Sequence, residues 1–200
     1  ALRLINDRPV FANCIGPYSL AGRLMDVNEI MLMCYEEPET VHKVLRKATD
    51  FIIKYIKEFK RIGANGVILA EPLAGLLSPQ LMKEFSSNYV REIVEAVQEK
   101  NFIIIYHNCG SAVEKLVPEI VETGCLAFHF GNAVRMSKML ESMPRNFLIL
   151  GNLSPSHVFN NNTPRQVRLD TQRLLNECMH YNNFVISSGC DVPADTDLDN

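Results

Sequence analysis

The sequence predicts an α/β fold, a TIM (β/α)8 barrel, and three observations carry that expectation. Six short apolar runs alternate with helical patterns along the chain, the signature of a parallel sheet with helical crossovers. Side chains with chemical potential close many of those runs: Glu71, His107, Cys109, His129, Asn152 and Cys190 stand at strand ends, where barrel enzymes build their sites. No glycine-rich phosphate fingerprint follows the first run, which disfavours the doubly wound alternative. A complete barrel takes about 250 residues. The 200 residues therefore read as six of its eight strands, with the missing two expected before Ala1. Without a linker, repeat or low-complexity tract to divide it, the chain reads as one incomplete barrel domain over residues 1–200.

In chain order, Leu2 to Arg8 is too short to assign, and Pro9 to Ile15 reads as a strand stopped by Gly16-Pro17. A short helix from Tyr18 to about Met25 follows, then a second through Met33, with Asp26 and Glu29 spaced as a capping box. The longest helix opens at Pro38 and closes at Gly63. Its apolar stripe is Val41, Val44, Leu45, Ala48, Ile52, Tyr55, Ile56 and Phe59, at steps of three and four. Gly66 to Pro72 is a strand, and Ser78-Pro79 opens a helix to about Gln98. After the strand beginning at Phe102, Ser111 and Glu114 form a second capping-box pattern for a helix to Thr123, ended by Gly124. Cys125 to Phe130 is a strand, Met136 to Met143 a helix, and Asn146 to Leu150 a strand ending in Gly151-Asn152. Thr163-Pro164 caps a helix to about His180, and Phe184 to Ser188 is the last strand.

Composition excludes several functional classes. With 47% hydrophobic and 22% charged residues and a net charge of -3, the chain has an ordinary globular balance and no basic patch for nucleic acid. No apolar stretch approaches the ~20 residues of a membrane span. Leu2 to Arg8 has no signal-peptide core, so the expected location is cytoplasmic. Six cysteines scattered through core-like segments read as reduced thiols, a subset of them binding metal. Cys14, Cys34, Cys125 and Cys178 lie inside apolar patterns and read as small core residues.

The most informative stretch is Phe102 to Gly110. A buried strand ends at His107 and Cys109, which period-two alternation points to one side before Gly110 turns the chain. Both are metal-ligand types, and Cys190 in Ser188-Gly189-Cys190-Asp191 is the candidate third ligand, at another strand end on the same face. The spacing from Cys109 to Cys190 is too long for a zinc finger, so the pairing rests on topology.

Several segments together resemble the uroporphyrinogen decarboxylase superfamily: Gly16-Pro17, Gly63-Ala64-Asn65-Gly66 through Glu71-Pro72, Gly75, Leu77-Ser78-Pro79, Tyr89, and Gly151-Asn152-Leu153-Ser154-Pro155. Two positions resemble its methyltransferase branch, the methylcobamide:coenzyme M type, in place of the decarboxylases. These are His107-Asn108-Cys109-Gly110 at one strand end and Ser187-Ser188-Gly189-Cys190-Asp191-Val192-Pro193 at the last.

The resemblance implies a barrel of the uroporphyrinogen decarboxylase type that holds zinc through His107, Cys109 and Cys190. The implied reaction moves a methyl group between a corrinoid (methylcobalamin) protein and a thiol or tetrahydrofolate acceptor. Three protein ligands leave a fourth position in which a thiol would lose its proton. Glu71 is expected to face the cavity as a catalytic or substrate-holding carboxylate. His129 reads as a fourth ligand or proton acceptor, or as a satisfied core histidine. Asp191 reads as the acceptor for the His107 ring N–H, or as a turn-capping acid. Asn152 and Gly16 are the expected cofactor contacts. The alternatives are a metal-free tetrapyrrole decarboxylase on the same barrel, which tolerates loss of Cys109 and Cys190, and a non-catalytic scaffold with a closed metal site.

Overall fold

The computed structural model describes residues 1–200. Six apolar runs form strands β1 (Phe11–Ile15), β2 (Gly66–Ala70), β3 (Ile103–Asn108), β4 (Ala127–Phe130), β5 (Leu148–Leu153) and β6 (Phe184–Ser188). Between them lie α1 (Pro17–Met25), α2 (Val27–Glu36), α3 (Pro38–Arg61), α4 (Pro79–Met82), α5 (Asn88–Val97), α6 (Val117–Val121), α7 (Met136–Ser142) and α8 (Pro164–Cys178). Each strand pairs in parallel with the next in sequence, in the order β1-β2-β3-β4-β5-β6. A doubly wound sheet reverses its order at a switch point; this one never does, so it is the wall of a barrel, with β1 and β6 as its edges.

The register separates two faces. The row Leu69, Tyr106, Phe128, Ile149, Phe184 runs across β2 to β6 and belongs to one core with Val41, Leu45, Ile52 and Ile56 of α3 and Val90, Ile93 and Val94 of α5. Because side chains alternate, the row one residue later, Ala70, His107, His129, Leu150, Val185, lines the other face, the inside of the barrel wall. No helix is long and apolar enough to cross a membrane.

The differences from the sequence expectations have local causes. Tyr55 lies outside the α3 stripe, exposed and packed between Phe51 and Phe59. Asp26 caps α2 through the amide of Asn28 at 2.9 Å. Ser78 accepts from Leu81 N as expected, but the helix it opens carries a π turn at Lys83–Ser87 between α4 and α5. The capping box at Ser111 and Glu114 does not form. Pro118 lacks an N–H and its ring opposes the carbonyl of residue 114, so the chain makes a 3-10 turn at Val113–Leu116 and α6 is only one turn long. The fifth strand lies two to three residues later than expected and carries Gly151 and Asn152 within it.

Candidate metal centre

Asn108, the last residue of β3, is fully buried on the helix side, and its side chain bends the chain that follows. Its Oδ1 accepts from Gly110 N (2.9 Å), while Nδ2 donates to Glu71 O (2.9 Å) and to the Tyr106 hydroxyl (3.2 Å). The turn brings Cys109 alongside His107. The β4 end closes in from one side, where Gly131 N donates to Asn108 O (3.2 Å). A Cβ on Gly131 would lie 2.5 Å from Cys109 Cβ, so only glycine permits this approach. From the other side Gly189 N donates to Leu153 O (2.6 Å), and a Cβ on Gly189 would lie 2.7 Å from Asn132 N. The glycine lets the β6 end pass close to the β4 loop and deliver Cys190.

His107 Nδ1 lies 3.2 Å from the carbonyl oxygen of His129. A carbonyl only accepts, so Nδ1 carries the proton and Nε2 presents a lone pair, here 3.7 Å from Cys190 Sγ. The ligand atoms of His107, Cys109 and Cys190 all lie within 4.8 Å of one another. A tetrahedral zinc site with ordinary bond lengths has N–S and S–S edges of roughly 3.6 and 3.8 Å, so the three donors fit such an ion with a small inward movement. One neutral nitrogen and two sulfurs is also the donor chemistry zinc prefers over magnesium or calcium. Burial, with a contribution from His129, pushes His107 down to about 4, leaving its imidazole neutral as a ligand must be. Burial, then the adjacent Cys190, pushes the Cys109 thiol up, so a metal binding there displaces a proton.

The other expected site residues are placed differently. His129 is not among the convergent donors: its Nε2 donates to Ser188 O (2.7 Å), and its ring tilts against His107 with centroids 4.6 Å apart. The acceptor for the His107 ring N–H is the His129 carbonyl, not Asp191. Asp191 is exposed beside the pair, and its charge opposes the downward shifts of both imidazoles.

Glu71 does not face the barrel interior. It follows Ala70 by one residue and therefore takes the helix side, where it is fully buried. Its Oε1 accepts from Tyr18 N (2.9 Å), and its Oε2 from Ser19 N (3.2 Å) and Ser19 Oγ (3.1 Å), so it caps α1. Gly16 makes room for that carboxylate, since a Cβ there would lie 2.2 Å from Glu71 Oε1. Asn152 donates from Nδ2 to Gly131 O (3.0 Å) and Val134 O (2.8 Å), pinning the β4–α7 loop where a cofactor contact was expected. Sequence reasoning missed Asn108, Gly131 and Gly189. A turn-forming Asn between two ligand-type residues was the available signal for the first; the glycines gave none, because their role depends on which strand ends meet.

Comparison with known proteins finds relatives of the chain in sequence and in fold. Residues 2–200 match the family model described as Uroporphyrinogen decarboxylase (URO-D). A methylated-thiol–coenzyme M methyltransferase of Methanosarcina mazei is 28% identical over 194 residues, covering 96% of this chain and 50% of the relative. A uroporphyrinogen decarboxylase of Pseudoalteromonas translucida is 25% identical, covering 98% of this chain and 57% of the relative. The chain thus spans about half the length of the curated relatives it matches. Among solved structures, a methyltransferase from Methanosarcina mazei superposes with a TM-score of 0.86 at 19% identity, over 99% of this chain and 57% of that one.

Proposed function

Because the chain belongs to the uroporphyrinogen decarboxylase family, we propose that it works in that family's methyltransferase branch. In this reading it is a cytoplasmic zinc-dependent enzyme that transfers a methyl group between a corrinoid (methylcobalamin) protein and a thiol or tetrahydrofolate acceptor. The observation that carries the reading is the convergence of His107 Nε2, Cys109 Sγ and Cys190 Sγ within 4.8 Å at the carboxyl end of the barrel wall. Two cysteines and a lone-pair nitrogen aimed at one point have no use in a metal-free decarboxylation. The methyltransferase relative supports the same branch, and the solved structure supports the fold on which the site is built.

His107, Cys109 and Cys190 would hold the ion, leaving one tetrahedral position for an acceptor. Zinc in that site supplies Lewis acidity that favours the deprotonated form of a thiol. The protein's own contribution is orientation. The His129 carbonyl fixes the His107 tautomer, the Asn108 turn sets Cys109, and Gly131 and Gly189 let three strand ends crowd together. Three fixed ligands would hold the ion, and through it the acceptor, in one place, which lowers the entropic cost of reaction.

The test uses full-length protein. Zinc is measured after purification, and the protein is mixed with methylcob(III)alamin and a panel of thiols and tetrahydrofolate while the corrin spectrum is followed. The expected result is about one zinc per chain and demethylation with at least one acceptor, both lost in Cys190→Ser. Less than half an equivalent of zinc, or undiminished zinc in Cys190→Ser, would sink the reading. Decarboxylation of a tetrapyrrole by Cys109→Ser and Cys190→Ser would establish the metal-free alternative.

A further inference from the structure

We infer that His129 is a positioning residue that ties together the two strand ends carrying the metal ligands, neither ligating nor taking a proton itself. The inference rests on the metal-site reading above. His107 and Cys109 belong to the end of β3, whereas Cys190 follows β6, and these strands are not neighbours: β4 and β5 lie between them. Ladder hydrogen bonds position each strand only against the next. The placement of β6 against β3 therefore runs through two intervening ladders, and a contact across the inner face fixes it more directly.

His129 supplies that contact from both ends of one residue. Its backbone carbonyl accepts from His107 Nδ1 (3.2 Å), which sets the rotation of the ligand ring and aims Nε2 at the site. Its side chain reaches across β5 to β6, where Nε2 donates to Ser188 O (2.7 Å), two residues before Cys190. Since Ser188 O only accepts, Nε2 must carry the proton, and the remaining lone pair sits on Nδ1, away from the three convergent ligand atoms. This agrees with the absence of His129 from the group of convergent donors. The residue is buried, and its ring packs against the His107 ring. A shift of His129 would move both halves of the ligand set relative to each other.

The test compares side chains at position 129 in full-length protein. Glutamine places an amide N–H at about the reach of histidine Nε2, asparagine is too short, and leucine fills the space with no donor. Each variant is read by zinc affinity in competition with a chromophoric chelator, by the d–d absorption of bound Co2+, and by the melting temperature of the metal-free protein. His129→Leu and His129→Asn are expected to bind zinc about 10–100-fold more weakly, the range for lost contacts behind a ligand, with an altered Co2+ spectrum. His129→Gln is expected to restore both to near wild type. Equal loss in all three variants would make the imidazole itself the ligand or base and overturn the inference. Unchanged affinity in all three would reduce His129 to core packing. Should leucine prevent folding, the Asn and Gln pair decides alone. A wild-type protein that binds no metal would defeat the underlying reading as a separate result.

Discussion

Glu71 and His107 stand one register step apart at the ends of adjacent strands, and each is a buried titratable group at the carboxyl end of the sheet. On the helix side, Glu71, Ser19, Asn108 and Gly16 form a closed centre: both carboxylate oxygens accept from α1, and Asn108 spends both amide donors and its oxygen locally. On the inner side, His107 Nε2 and two thiols approach within 4.8 Å, joined only by weak sulfur hydrogen bonds such as Cys190 Sγ to His107 Nε2 at 3.7 Å. One centre is complete in itself and works as structure. The other gathers an imidazole and two thiols of the kind that could hold a metal ion, the role proposed above, and the difference lies in how far hydrogen bonds already engage each group, not in burial.

The sharpest way to break this comparison is to truncate one member of each centre. Glu71→Ala removes the cap of α1, orphans the amides of Tyr18 and Ser19 and leaves a cavity, and is expected to cost about 3–5 kcal/mol of stability. For a chain of this size that is a fall in melting temperature of roughly 6–20 °C, with metal affinity changed far less. Cys109→Ala is expected to do the reverse. Stability of the metal-free protein should stay within about 1 kcal/mol, while zinc affinity drops by more than about two orders of magnitude, beyond the range for a residue behind the ligands. Chemical denaturation and chelator competition on the same two variants decide the matter. Matching losses in both assays for both variants would mean that the two centres are one.

A second, smaller effect separates the glycines that admit each centre. Gly16→Ala places a Cβ 2.2 Å from Glu71 Oε1, so the carboxylate must withdraw from α1, at an expected cost of about 1–3 kcal/mol without loss of zinc. Gly131→Ala places a Cβ 2.5 Å from Cys109 Cβ and 2.6 Å from its Cα, so the β3 end must shift. Zinc affinity should fall by about tenfold or more, with a changed Co2+ spectrum. Unaltered metal binding in Gly131→Ala would show that Cys109 has freedom the packing denies.

Much of this was legible from residues. Alternating buried runs and helical stripes announced the parallel sheet, and neighbouring ligand types at a strand end pointed to half of the candidate metal site. Cys190 was legible only through topology, because a spacing of this length carries no geometric information until the order of strands is known. Glu71 was placed on the wrong face, although parity contained the answer. It shares its side of β2 with Val67 and Leu69, both fully buried, and not with Ala70, the register partner of His107. Gly131 and Gly189 were silent because their value lies in contacts made by other strand ends, whereas Asn108 stood as a turn former between two ligand-type residues. Pro118 was legible in principle, since a proline four residues after Glu114 opposes the helix that a capping box would begin.

The smallest expected effect is in pH dependence, and there the two centres have opposite signs. Burial pushes Glu71 up to about 8 despite the three donors that pull it down, so the folded protein holds a proton that the unfolded chain releases near its ordinary value of 4.5. The folded state binds more protons throughout that window, and stability must fall as pH rises from about 4.5 to 8, by at most about 1.4 kcal/mol per pH unit. Cys14, pushed up to about 12 by burial and then by Glu71, and Tyr18, also raised, stay protonated across the window and add no slope. Burial moves His107 and His129 the other way, His107 to about 4, so the unfolded chain binds more protons below 6.5 and stability rises with pH from about 4 to 6.5. The contributions oppose each other below 6.5, and only the Glu71 slope acts between 6.5 and 8. Metal-free protein should therefore lose stability from pH 6.5 to 8. Glu71→Gln, neutral at every pH, should abolish that loss and uncover the full rise below 6.5. Urea denaturation at half-unit pH intervals reads both limbs. A slope between 6.5 and 8 that persists in Glu71→Gln would show that the carboxyl is ionised in the folded protein and that the closed centre is held by charge.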